Sequence, residues 1–154
     1  EEFDNLSQEV TAHKEDYATQ SEFKVSNIMN NGDFRNGNTG WTADRVGCNV
    51  TALNNTLFIT GNGTVSEPRT YYRTNVQIIS GHKYYIKALA KITNGNSNFI
   101  ALQVIGSTTG VRRTVRSISE PEANIEYEMS AVSVITDVGE LRVGLAHGYI
   151  DAAA

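Results

Sequence analysis

From Phe23 onward the chain alternates apolar and polar residues in short runs separated by turns rich in glycine and asparagine. A period of two puts successive side chains on opposite faces of an extended strand. Runs rich in Val, Ile, Thr and Tyr predict strands over 24–29, 56–60, 73–78, 82–92, 99–105, 111–118, 125–134 and 140–145. In the longest, Tyr84, Ile86, Ala88, Ala90 and Ile92 share one face, while Tyr85, Lys87, Leu89 and Lys91 share the other. An apolar side backed by an amphipathic side fits one wall of a two-sheet sandwich. Ile100, Leu102 and Val104 repeat the pattern, as do Leu141, Val143 and Leu145. Asn31-Gly32-Asp33, Asn36-Gly37-Asn38, Asn62-Gly63, Ser80-Gly81, Asn94-Gly95-Asn96 and Thr109-Gly110 supply the residues that tight turns demand. Eight or nine such strands predict an all-β antiparallel sandwich. No ten-residue helical pattern separates them, which argues against an α/β fold with a nucleotide-binding crossover.

Residues 1–22 follow a different period. Phe3, Leu6, Val10, His13 and Tyr17 recur at spacings of three and four, Gln20 continues the series, and the positions between are largely polar or charged. This is a heptad seam, uninterrupted by Gly or Pro, and it predicts an N-terminal α-helix. Two heptads are too short to persist alone in water. An oligomeric coiled-coil stalk is the favoured reading; a helix lying on its own domain and a disordered segment are the alternatives. Aromatic and polar seam residues suit a trimer better than a dimeric zipper. The chain thus divides into an oligomerisation stalk, 1–22, and a β domain, 23–154.

With 154 residues there is room for a single hydrophobic core. A net charge of -4, with no stretch that gathers the basic residues, disfavours nucleic acid. No apolar run reaches the length of a membrane span, and Glu1 and Glu2 stand where a signal peptide would have a basic start. Cys48 is the only cysteine, so no internal disulfide forms. Nucleophile elbows, zinc-protease motifs, phosphate loops and calcium loops are all missing, and His13, His82 and His147 lie far apart. Glu120, Glu122, Glu126 and Glu128 read as a solvated rim rather than a catalytic pair. These observations predict a protein that is not an enzyme.

Aromatic rings flanked by amides, hydroxyls and guanidinium groups are the materials of sugar recognition, because rings cover the apolar faces of a saccharide while polar groups satisfy its hydroxyls. Trp41, after a glycine-rich turn, reads as a core anchor. Tyr71 and Tyr72 are neighbours in a strand-like run and must point to opposite faces. One is expected in the core; the exposed one is the candidate platform. Arg73, Gln77, Lys87, Gln103 and Arg112 are candidates to line the same open sheet face.

The run Asn27-Ile28-Met29-Asn30-Asn31-Gly32-Asp33-Phe34, followed by Gly37 and Gly40-Trp41-Thr42, resembles the opening of jelly-roll carbohydrate-binding modules of the xylanase and cellulase type. Similar domains occur in bacteriophage tail and baseplate proteins. The likeness continues through 55–60, 76–78 and 80–85 to Tyr149-Ile150-Asp151, covering about residues 24–151. It implies an antiparallel jelly roll with a concave glycan-binding face. It also implies a structural Ca2+ near the first turn, with Asp33 and Asp151 as ligands. Asp33 capping its own turn is an equal alternative.

Combined with the heptads, the resemblance implies a non-catalytic phage or prophage tail-associated domain, extracellular on the virion tail or baseplate. Its partners would be bacterial surface polysaccharide, other tail or baseplate proteins and two further copies of itself. A trimer would multiply weak sugar sites into useful avidity. The alternatives are an assembly or decoration domain without a glycan ligand and, less favoured, a polysaccharide-degrading enzyme.

Overall fold

The computed structural model describes residues 27–62, 65, 67–93 and 97–149. Nine strands follow one another: β1 (Trp41–Ala43), β2 (Cys48–Leu53), β3 (Thr56–Gly61), β4 (Arg69–Gln77), β5 (Lys83–Ala90), β6 (Ser97–Gly106), β7 (Arg112–Ser119), β8 (Tyr127–Val134) and β9 (Glu140–Tyr149). They form an antiparallel β-sandwich. One layer is a five-stranded sheet in the order β1-β4-β9-β6-β7; two pairs, β5-β8 and β2-β3, lie against it. Strand β9 returns between β4 and β6, so the sheet is closed by long-range pairing, as expected of a jelly roll.

Period-two burial decides which face each strand gives to the core. Ile100, Leu102 and Val104 of β6 and Leu141 and Val143 of β9 pack against Ile86 of β5 and Met129 of β8, joined by Ile92 and Ile135. A second cluster, Trp41, Val50 and Tyr72, fills the end covered by β2-β3 and is flanked by Phe34, Met29 and Leu57. Its rings stack at a tilt, with Trp41 5.5 Å from Phe34 and 5.2 Å from Tyr72. Trp41 is therefore the core anchor its position predicts.

The asparagine-glycine opening has a structural purpose. Asn31 is only 3% exposed, yet all its polar groups are satisfied. Its side-chain amide donates to the carbonyls of Gly37 and Thr39, and its side-chain oxygen accepts from the Asn36 N–H. Its backbone N–H donates to the Tyr72 hydroxyl, while its carbonyl accepts from the Trp41 indole. One residue thereby ties the entry loop to the aromatic cluster. Gly40 completes the loop with φ +83°, and a Cβ there would sit 2.6 Å from the Tyr72 ring.

The sequence-predicted strands at 56–60, 82–92, 99–105, 111–118 and 125–134 match β3 and β5–β8 apart from their ends. Strand β4 begins four residues earlier than predicted and β9 ends four residues later. The predicted strand at 24–29 is not seen: residues 27–29 are not in a strand, and 24–26 lie outside the described residues. Strands β1 and β2 were not predicted, one being only three residues long and the other interleaving polar residues with Val50 and Ala52. The hairpin partner of β2, β3, is reached through Asn54 and Asn55, with φ of 50° and 56°. Those signs belong to the two-residue I′ turn that suits strand twist, here without the usual glycine. The predicted N-terminal helix, with Phe3, Leu6, Val10, His13 and Tyr17, lies outside the described residues.

Candidate functional site

The five-stranded sheet turns its second face away from the core. Pairing places Tyr71, Gly144, Gln103 and Thr114 in one row across it, and Arg73, Arg142, Ile105 and Arg112 in the next. The face is curved. Arg112 on edge strand β7 donates from Nη2 to the Thr70 carbonyl of β4, at 2.9 Å. In a flat sheet those strands would lie about 14 Å apart, farther than an arginine reaches. The sheet must therefore curl toward this side, making it concave.

Arg112 braces the curl with all three of its guanidinium nitrogens. Nε donates to Asp44 at 2.8 Å and Nη1 to the side-chain oxygen of Gln103, while Nη2 takes the Thr70 carbonyl. Gly144 is what lets it pass, since a Cβ there would meet Nη1 at 2.7 Å. Burial lowers the Arg112 pKa from its ordinary value, with the hydrogen bond and charge of Asp44 acting against the fall. Asp44 also pairs with Arg69 at 3.2 Å, and Glu67 bridges Arg69 and Arg45.

At the other end of the row the polar groups converge on Glu140. Its carboxylate accepts from Arg73 Nε at 3.3 Å, from Arg142 Nε at 3.1 Å and from the Asn75 N–H at 3.1 Å. Asn75 reaches it from a register shift in β4 between Arg73 and Gln77, in the left-handed conformation (φ 58°). Such irregularities re-aim side chains beside functional sites. Desolvation pushes the Glu140 pKa up, but hydrogen bonds from Arg142, Arg73 and Asn75 outweigh it and leave it below its ordinary value. The Arg142 guanidinium lies over the Tyr71 ring, 4.9 Å from its centroid.

The structure brings only some of the predicted site residues together. Tyr71, Arg73, Gln103 and Arg112 share the concave face, with Gln77 exposed at its end opposite Glu140. Gln103 is 5% exposed and held by Arg112 and Thr114. The tyrosine pair divides as expected, and one placement, that of Lys87, differs. Tyr72 is the core member of the tyrosine pair, 6% exposed against Trp41, because Tyr71 takes the other face. Lys87 lies on the other layer, exposed and paired with Glu128 at 3.2 Å, since β5 pairs with β8 rather than with the five-stranded sheet.

Asp33 caps its own turn: its carboxylate accepts the Arg35 N–H and pairs with the Arg35 guanidinium at 2.8 Å. Asp151 lies outside the described residues. No group of three or more His, Cys, Asp or Glu side chains able to hold a metal occurs among the described residues. No helix among them is long and apolar enough to cross a membrane.

Sequence reasoning missed Arg142, Glu140 and Asp44. Phe99 shares the concave face and lies against Gly148, where a Cβ would fall 2.6 Å from the ring's Cδ1. The alternation in β9 carries Glu140 and Arg142 in principle, and that in β6 carries Phe99, whereas Asp44 follows the short strand β1. Their convergence depends on β9 pairing with both β4 and β6.

A scan against protein-family models and a search of curated proteins returned no match. Among solved structures, the fold is similar to the N-terminal CBM22-1–GH10 modules of a Clostridium thermocellum endo-1,4-beta-D-xylanase, complexed with xylohexaose. The TM-score is 0.57 at 16% identity, over 73% of this chain and 24% of that one. The likeness falls on the carbohydrate-binding module rather than on the GH10 module. Two further structures are of carbohydrate-binding module family 29. One is a mutant with TM-score 0.46 and 11% identity, over 71% of this chain and 78% of that one. The other, complexed with cellulohexaose, has TM-score 0.46 and 12% identity, also over 71% and 78%. The chain thus spans about a quarter of the xylanase chain, and at these identities the likeness establishes a jelly-roll fold of the carbohydrate-binding-module type.

Proposed function

We propose that this protein is a non-catalytic carbohydrate-binding domain whose ligand lies on the concave face of the five-stranded sheet. The observation that carries the reading is the preorganisation of that face: Glu140 holds Arg73 and Arg142, and Arg142 stacks on Tyr71, over a floor braced by Arg112. Ordered polar groups beside partly exposed rings suit a saccharide, because little side-chain entropy is lost on binding. The likeness to a module crystallised with xylohexaose agrees with this. A panel of bacterial cell-wall and capsular polysaccharides, scored by affinity electrophoresis, provides the test. Retardation by at least one polymer is expected, weakened about tenfold by Tyr71→Ala and unchanged by Lys87→Ala on the other layer. Absence of any retardation, or equal loss in both variants, sinks the reading.

The finer parts of the proposal rest on sequence. The heptads of residues 1–22 support a trimeric, multivalent component of a phage or prophage tail or baseplate. Sedimentation equilibrium is expected to give a trimer for the whole chain and a monomer for residues 23–154; a monomer in both removes the stalk. A structural Ca2+ held by Asp33 and Asp151 belongs to the same proposal. The Asp33–Arg35 pair is exposed and weak enough to yield to the ion. Millimolar calcium should then raise Tm by several degrees in the parent and not in Asp33→Asn; an unchanged melting curve removes the site.

A further inference from the structure

The arginines of the concave face differ in what they have left to offer. Arg112 is spent, since each of its three nitrogens already has an acceptor. Arg73 and Arg142 each use only Nε, and both direct it to the same oxygen of Glu140. Among the described residues, no acceptor meets their terminal nitrogens. The Arg73 side chain is 56% exposed and that of Arg142 is 24% exposed, so both remain open to solvent.

This arrangement carries a cost. Arg73 and Arg142 are direct cross-strand partners, and like charges in that position are destabilising. One carboxylate between two guanidinium groups leaves the cluster with an excess positive charge, on a chain whose net charge is -4. Stacking on Tyr71 fixes the plane of Arg142 and also covers part of the ring that a neutral sugar would use. Two oriented, half-neutralised forks on a concave face match an oxyanion better than a neutral hydroxyl, because guanidinium binds carboxylate and phosphate bidentately.

We infer that Arg73 and Arg142 form an anion subsite, and that the saccharide taken by this face is acidic, carrying a carboxylate or phosphate group. The inference rests on the carbohydrate-binding reading and names the ligand class within it. Glu140 and Tyr71 are positioning residues: Glu140 fixes both Nε atoms, and Tyr71 fixes the Arg142 plane.

The test uses the whole chain in affinity electrophoresis and calorimetry. Four probes are compared at fixed ionic strength: polygalacturonate, its methyl ester, poly(glycerol phosphate) and unsubstituted xylan. Binding to polygalacturonate, to poly(glycerol phosphate) or to both is expected, and the choice between them identifies the anion. Affinity for the methyl ester and for xylan should be at least tenfold lower. Arg73→Gln and Arg142→Gln should each weaken acidic binding about tenfold. Arg142→Lys keeps the charge and loses the fork, and should remain impaired. Lys87→Gln, a charge loss on the other layer, should have no effect. Unchanged far-ultraviolet circular dichroism and Tm within a few degrees verify the fold of each variant.

Equal binding of xylan or the ester overturns the anion subsite while the carbohydrate reading survives. An equal loss in Lys87→Gln also overturns it, as diffuse charge attraction would then explain the binding. Failure to bind either acidic polymer overturns the subsite, and failure with every saccharide tested overturns both readings.

Discussion

Arg112 shows how one side chain can be read as a ligand contact from sequence and prove to be a brace in the fold. Its guanidinium crosses the floor of the concave face to Gln103, Thr70 and Asp44, and Gly144 provides the clearance. Removing it would take the partner from the side-chain oxygen of buried Gln103 and leave the Asp44 carboxylate with only Arg69. Breaking such a partly buried network typically costs about 3 kcal/mol. Arg112→Gln is therefore expected to lower urea-unfolding stability by that order, with any loss of ligand affinity following from the unfolding. A full-affinity, fully stable variant would refute the brace. The tyrosine pair makes the complementary point. Adjacent residues in a strand must face opposite ways, so one of Tyr71 and Tyr72 had to be buried. Which one depended on the register of β4 against β9, where Tyr72 pairs with Val143 and Tyr71 with Gly144.

Among the elements, the entry loop and β9 do most to position the site. The Asn-Gly-Asp-Phe to Gly-Trp opening was legible as a resemblance, and its physical content is the Asn31 hub. Asn31→Ala would leave the Gly37 and Thr39 carbonyls and the Asn36 N–H without their side-chain partner. Unsatisfied groups of this kind cost about 1–3 kcal/mol each when buried. Because some here can reach water, a total near 3 kcal/mol is expected, read as a lower urea midpoint with unchanged slope. A loss below about 0.5 kcal/mol would show that the loop is held by its glycines and aromatic packing instead. Strand β9 was legible as an alternating run, yet its role was not. Only its central place between β4 and β6 brings Glu140 and Arg142 beside Arg73.

Across the whole molecule, two titrating groups contribute to the acid limb of stability. His147 on β9 lies with Nε2 3.0 Å from the Ile59 carbonyl, linking the sheet to the β2-β3 pair. Desolvation lowers its pKa from 6.5, against the opposing effect of the Ile59 hydrogen bond. Below pH 6.5 the unfolded chain binds a proton that the folded chain resists, so the His147 contribution is present above that pH and lost as pH falls. Glu140 also has a depressed folded pKa, so its contribution is present above pH 4.5 and lost below it. Urea unfolding at pH 8, 5.5 and 3.5 should show two successive falls. His147→Gln should flatten the first and Glu140→Gln should reduce the second; a variant whose profile keeps the parent shape would discard that assignment.

The sequence by itself determined the all-β sandwich, several turns and most strands, because alternation and turn chemistry are local properties that survive without knowledge of partners. It also supplied Trp41 as an anchor and Tyr71, Arg73, Gln103 and Arg112 as members of one face. Tertiary structure alone decided that Tyr72 is core, that Lys87 belongs to the other layer and that Arg112 is consumed in bracing. It alone placed Arg142 and Glu140 beside Arg73. Those outcomes follow from strand order and sheet curvature, which arise from pairing residues some seventy positions apart and leave no periodic trace in the chain.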